Sequence, residues 1–314
     1  MQCALNYLKI ARFDHWVKQL FVLPGAWLAY AMVSPIPSMD LAVKLMLGMI
    51  ATSAAASANY CINEWLDMEF DKFHPVKKHR PFVTTKLSVP IVLAEYVFFA
   101  MVSLIIANFI STIVLIAEAV LLVMGILYNV RPIRTKDLPY VDVLTESMNN
   151  AIRLIIGWFC VTNLYQPPFS VMFGYWMGGA FLMAAKRFAE YRMIGDPEQA
   201  KLYRKSFRGY SEKRLLTSAI FYGNLSVFFC GVFLIKYRIE LILVLPLICL
   251  LFCYYLSICF KPDSAAQKPE KLFREKPLML LCALIIVGFI ACYYIRIPAL
   301  DLFLRMDLRP IEWR

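Results

Sequence analysis

The stretch NEWLDMEFDKFHPVKKHRP at 63–81 places Asn63, Asp67 and Asp71 at four-residue intervals and follows them with His74, Lys77, Lys78 and Arg80. On a helix, four residues advance about 400°, so these side chains drift only about 40° per step and line one stripe. Asn59 extends the stripe inward. Two carboxylates and an amide oxygen are hard donors that suit Mg2+, an ion that keeps several waters and completes its shell with substrate phosphates. A diphosphate is the natural complement, and the cations after Asp71 would neutralise the charge it still carries. Taken alone, the same residues also describe a solvated helix end whose lysines mark topology or touch lipid headgroups.

Two further constellations accompany this one. In VDVLTESMNNAIRLIIGW, Asp142, Glu146, Asn149, Asn150 and Arg153 recur at helical spacing along one face of an otherwise apolar segment. Ionisable groups inside a span are costly unless they face a cavity; the other reading is a self-satisfied network of Glu146 with Arg153 or Asn150 that holds helices together. In AAKRFAEYR, Lys186, Arg187 and Glu190 sit where an apolar helix ends. Lys186 and Glu190 are four apart, a spacing that also allows a simple surface pair. Beyond them Asp196 reads as a helix N-cap with Pro197 at the first helical position. Arg204, Lys205 and Arg208 then alternate with Tyr203, Phe207 and Tyr210. Residues 186–214 thus predict a basic amphipathic cap, which would either rest on headgroups or close over an anionic substrate.

The elements that must position these groups are transmembrane helices. The 314 residues are 61% hydrophobic and only 18% charged, with a mean hydropathy of +0.61, which predicts an all-α polytopic membrane protein. Apolar stretches long enough to cross about 30 Å of hydrocarbon fall near Trp16–Val33, Leu41–Asn63, Leu87–Ala107, Ile110–Tyr128 and Val141–Val161. Four more fall near Val171–Ala185, Leu215–Ile235, Ile239–Phe260 and Pro277–Ile295, giving nine helices in one domain spanning 1–314. The small residues ATSAAASA at 51–58 would let the second helix approach its neighbours closely. Lys9 and Arg12 lead into a first helix long enough to span, which predicts that it is retained. The net charge of +11 is confined to alternate links; that pattern is a topology signal and not a nucleic-acid footprint. By the positive-inside rule the N-terminus and basic links face the cytoplasm and the tail after Arg296 lies outside. The cysteines lie in or beside apolar runs without CxxC spacing and read as small hydrophobes. Glu95 and Glu118, isolated in the third and fourth spans, leave open a transporter in which the polar stripe at 142–153 lines a path.

These residues resemble the UbiA superfamily of intramembrane prenyltransferases over nearly the whole chain. The first motif is similar to that family's NDxxDxxxD, with Glu64 in place of the usual aspartate, and implies Asn63, Asp67 and Asp71 as metal ligands. YNVRPIRTKDLPYVD resembles its tyrosine and lysine loop, which implies Tyr128, Arg134 and Lys136 near substrate phosphates, and ARFDHWVKQ resembles its first-helix signature, pointing to Lys18. The family's second DxxxD is replaced by Lys186 and Glu190. A lysine cannot ligate a cation but neutralises phosphate directly. KRFAE, YRKSFRGYS and PEKLFREKPL resemble the branch that includes decaprenyl-phosphate phosphoribosyltransferase. That branch implies Mg2+, a soluble phosphoribosyl diphosphate donor, a polyprenyl phosphate acceptor and a bacterial plasma membrane. It also implies catalytic roles for Asp67, Asp71, Lys186 and Glu190, and phosphate contacts from His74, Lys78, Arg80 and Arg187. The YNVRPIRTK loop looks more like users of prenyl diphosphate, so prenyl transfer to an aromatic or other lipid-soluble acceptor is the alternative.

Overall fold

The computed structural model describes residues 2–73, 77–85, 87–261, 264–267 and 272–300. Its elements are helical throughout the described residues. The chain opens with α1 (Gln2–Ile10), a 3-10 stretch (Phe13–Val22) and α2 (Leu23–Val33), followed by α3 (Met39–Asp71) and the short α4 (Pro81–Thr84). Then come α5 (Val89–Ile110), α6 (Thr112–Asn129), α7 (Val141–Val161), α8 (Phe169–Ile194) and α9 (Pro197–Tyr203). α10 (Glu212–Tyr237), α11 (Leu245–Cys259) and α12 (Lys276–Tyr294) complete the bundle. Local chemistry sets many of the starts: Ser38, Ser111, Asp196 and Ser211 each accept a backbone N–H as N-cap.

Among the described residues, seven helical stretches are long and apolar enough to cross a membrane. The two other long helices are α7, with 21 residues, and α8, with 26. They carry Asp142, Glu146 and Arg153, and Lys186, Arg187 and Glu190, so the polar groups of interest lower their apolarity. The predicted first helix differs more. Residues 13–22 form a 3-10 stretch and Arg12 adopts a left-handed backbone with φ 51°, so the entry to this span is broken. The span predicted from Ile239 also begins as a 3-10 stretch, Ile239–Val244, before α11.

α3 positions the site. Its 33 residues rise about 50 Å, well beyond about 30 Å of hydrocarbon, and its last turns carry Asn63, Asp67 and Asp71. The 51–58 stretch is buried throughout. α7 joins two cores, touching α2, α3 and α6 on one side and α8 on the other. Its contact with α2 is backbone to backbone: a Cβ on Gly157 would overlap the Val22 carbonyl oxygen, and one on Gly25 the Leu154 carbonyl oxygen. Gly157→Ala should therefore destabilise the protein by about 2 kcal/mol or more, read as a lowered midpoint for loss of monodisperse protein on heating in detergent.

Glu118 is fully buried, accepting from Thr52 Oγ1 at 2.6 Å and Ser103 Oγ at 3.3 Å, so it ties α3, α5 and α6 together. Glu95 sits against Cys61 Sγ at 3.9 Å. The two face different contacts, and neither is among the residues lining the cavity that Asn149, Asn150 and Arg153 of the α7 stripe also line.

Candidate active site

Asn63 and Asp67 converge on one ammonium. Lys136, in the 3-10 turn Thr135–Asp137, donates to Asn63 Oδ1 at 3.2 Å, to Asn129 Oδ1 at 2.8 Å and to Asp67 Oδ1. Arg134 adds a second cation, with Nη2 2.9 Å from Asp67 Oδ1, and is anchored by the carbonyls of Leu66 and Asn129. Burial pushes the Lys136 ammonium down to about 8 despite the carboxylate beside it. A nest of three oxygens around one cation, built from an aspartate and two amides, has the donor chemistry that a hard divalent ion takes, with phosphate oxygens to complete the shell. The oxygen donors present therefore fit Mg2+ in type, and in this structure Lys136 holds them.

Asp71 departs from the expected stripe. It is buried and pairs with Arg80, not with Lys136. Two four-residue steps accumulate about 80° of drift, enough for the last carboxylate to face the turn that carries Arg80. Asp71 still lines the small cleft that Asp67, Arg134 and Lys136 share, whereas Glu64, at the varied motif position, is buried with Arg12 3.7 Å away and lines neither that cleft nor the larger cavity. Among the described residues no three His, Cys, Asp or Glu side chains cluster as a metal site, so the oxygen nest depends on its two amides.

Beside the nest lies a cavity of about 380 Å3. Its polar end is lined by Lys18, Asn63, Tyr128, Asn129, Glu146 and Lys186, and its apolar wall includes Phe21, Leu182, Met183, Leu272, Leu278 and Met279. Lys186 has no hydrogen bond or ion pair among the described residues. Lys18 Nζ lies 2.7 Å from His15 Nδ1 and over the Tyr60 ring. Asn150 and Arg153 also line the cavity; Arg153 donates to Asn150 Oδ1 at 3.1 Å and to Gln19 Oε1 at 2.8 Å. Glu146 does not pair with Arg153. It accepts from Tyr128 Oη at 2.8 Å and from Arg187, which is itself buried.

Two predicted residues serve the cap. Asp142 has no exposed surface and accepts from Tyr210 Oη at 2.7 Å, Ser206 Oγ at 3.1 Å and Arg204 Nη2 at 3.2 Å. Glu190 does not pair with Lys186. Its Oε1 lies 3.0 Å from Lys77 Nζ and 3.0 Å from Tyr203 Oη, with Arg187 3.5 Å from Oε2. Burial lowers the Lys77 ammonium against the pull of that carboxylate. Arg204 also donates to Tyr128 Oη at 2.7 Å, so the cap closes on the same tyrosine that lines the cavity. Lys78 is exposed and lines neither the cavity nor the small cleft beside Asp67. His74 lies outside the described residues.

Residues 20–282 match the UbiA prenyltransferase family. The chain belongs to that family. This UbiA family member is 26% identical over 208 residues to the decaprenyl-phosphate phosphoribosyltransferase of Mycolicibacterium smegmatis, a match covering 66% of the chain and 63% of that relative. The protein of the same name from Corynebacterium glutamicum is 26% identical over 210 residues, covering 65% of the chain and 59% of that relative. Among solved structures, a UbiA homologue from Archaeoglobus fulgidus bound to GPP and Mg2+ superposes with a TM-score of 0.67 at 21% identity, covering 92% of this chain and all (100%) of that one. The apo UbiA homologue from Aeropyrum pernix gives 0.61 at 15% identity, with coverage of 89% and 98%. At these identities the structural likeness is one of fold. Family and apolar helices together make this an integral membrane protein.

Two residues that spacing did not single out also stand beside these groups. Asn129 supplies an oxygen to Lys136, and Tyr60 lines the cavity under Lys18. Each follows a residue already noted, Tyr128 and Asn59, and the signal was an amide or phenol at the last turns of an apolar helix.

Proposed function

We propose that this UbiA-type transferase moves a phosphoribosyl group from phosphoribosyl diphosphate to a membrane polyprenyl phosphate, releasing diphosphate, with Mg2+ as cofactor. The observation that carries this reading is the Lys186 ammonium on the cavity wall, where a second metal would need a carboxylate. Glu190, four residues on, is held by Lys77 and Tyr203. The site is thus built for one metal plus fixed cations, which suits a ligand with several phosphate groups. The names of the curated relatives, decaprenyl-phosphate phosphoribosyltransferases, support the same transferred group and class of acceptor.

In this reading Asn63 and Asp67 hold the metal, Asp71 keeps Arg80 in place, and bound Mg2+ would offset charge on the diphosphate leaving group. Lys136, Arg134 and Lys186 neutralise the remaining phosphate charge as it builds on the departing oxygens. A lipid phosphate oxygen forms the new bond to the anomeric carbon of ribose as the bond from that carbon to diphosphate breaks. The nucleophile is already anionic, so positioning does the work and no protein base is required. The apolar wall from Phe21 to Met279 would take the polyprenyl chain, and the cap at 196–210 would exclude water, tied down by Asp142. The arrangement belongs to a single domain over 1–314 of nine membrane helices, α7 and α8 included. Its cavity opens to the cytoplasm of a bacterial plasma membrane, with the N-terminus inside and the C-terminus outside.

Prenyl transfer is the second reading, favoured by the apolar wall of the cavity and by the A. fulgidus homologue bound to GPP and Mg2+. The two separate in one assay. Protein with phosphoribosyl diphosphate, polyprenyl phosphate and Mg2+ should release diphosphate; protein with a prenyl diphosphate and an aromatic acid should not, and the reverse result overturns the proposal. Lys186→Met should lower the first activity about 100-fold, as initial rates of diphosphate release would show.

A further inference from the structure

Between the cation-rich end of the cavity and its apolar wall lies a patch of neutral amides that neither chemistry explains. Asn59 on α3 and Asn149 and Asn150 on α7 all line the cavity. Asn59 Nδ2 donates to the Leu121 carbonyl at 3.2 Å and Asn150 Oδ1 accepts from Arg153, which fixes the orientation of both groups. The Asn59 and Asn149 Oδ1 atoms are buried and have no hydrogen-bond partner among the described residues. Two of the amides pack against glycine on neighbouring helices: the Asn59 Oδ1 sits in the notch at Gly125, where a Cβ would collide with it, and a Cβ on Gly179 would press on Asn150 Nδ2 at 2.8 Å. Buried amide oxygens inside a membrane bundle are costly when left unpaired. Hydrocarbon cannot satisfy them, and phosphate, itself an acceptor, would oppose them. A neutral hydroxyl donates to them.

We infer that the Asn59, Asn149 and Asn150 patch is a subsite for the hydroxyl groups of a sugar, holding the ribose of the donor between its diphosphate and the incoming lipid phosphate. This rests on the phosphoribosyl reading above. It adds to that reading a basis for selecting the donor, because a site built to hydrogen-bond hydroxyls rejects a ligand without them. A prenyl group has none to offer.

The test is calorimetric titration of the full-length protein in detergent with Mg2+ and either phosphoribosyl diphosphate or inorganic diphosphate. Asn149→Leu, and Asn149→Ala in case the larger side chain disturbs α7, should bind phosphoribosyl diphosphate about tenfold more weakly. Both should bind inorganic diphosphate as the wild type does, and retained diphosphate binding also reports an intact fold. Equal weakening for both ligands, or for neither, overturns the assignment. If the wild type turns over phosphoribosyl diphosphate while the variants bind it normally, the donor reading survives and the amide subsite falls. If the wild type binds inorganic diphosphate but binds phosphoribosyl diphosphate no more tightly, and in a third titration binds geranyl diphosphate more tightly than either, both fall.

Discussion

Asp67→Asn should lower turnover by about 1000-fold while the protein folds and inserts as before. Asp67 Oδ1 is the one carboxylate oxygen shared by Lys136 and Arg134, and the amide that replaces it carries no charge to hold a divalent ion. The fold should survive because the two cations keep other acceptors. Lys136 retains the amide oxygens of Asn63 and Asn129, and Arg134 retains Asp137 at 3.3 Å and two backbone carbonyls. Initial rates of diphosphate release, on protein matched for size-exclusion profile, measure the effect. A variant within tenfold of wild type would remove Asp67 from the chemistry.

The largest stability effect is expected at Asp142. Asp142→Ala strips a fully buried carboxylate from Arg204, Ser206 and Tyr210, with Arg187 3.5 Å away. Two guanidiniums in a buried site then lack part of their counter-charge, and breaking such an arrangement costs about 3–5 kcal/mol. The loss should appear first in the cap, since Asp142 makes three of the side-chain hydrogen bonds that join 204–210 to the start of α7, alongside the one from the Tyr140 backbone N–H to Tyr210 Oη. Trypsin should cut the variant after Lys201, Arg204 or Lys205 under conditions that leave the wild type whole. An unchanged cleavage pattern together with an unchanged thermal midpoint would contradict a locking role.

What the sequence made legible was local. The Asn63 and Asp67 stripe follows from helical period alone, and the Asp196 cap followed by Pro197 is a start signal whose partners lie two residues away. Long-range pairing was not legible. Asp71 turns to Arg80 because the 77–80 turn returns beneath α3, and Glu190 leaves Lys186 because Lys77 arrives from a link more than a hundred residues upstream. The same holds for Glu146, whose spacing to Arg153 suggested a pair on α7 but whose partner is Arg187 on α8. Apolarity predicted nine spans; seven helical stretches among the described residues are long and apolar enough to cross a membrane, and α7 and α8 fall outside that set because they carry the charges that make the site. The break at 13–22 has neither Pro nor Gly to announce it; its cue is the left-handed backbone at Arg12, which only the structure displays.

The central claim is that the end of α3 seats a divalent ion together with a diphosphate, and Mn2+ binding followed by electron paramagnetic resonance tests it most directly. Because the Lys136 ammonium already fills the oxygen nest of Asn63, Asp67 and Asn129, Mn2+ alone should bind weakly. Adding inorganic diphosphate should create a tight site in the wild type and none in Asp67→Asn. Equal Mn2+ binding by the two proteins in the presence of diphosphate would contradict the account.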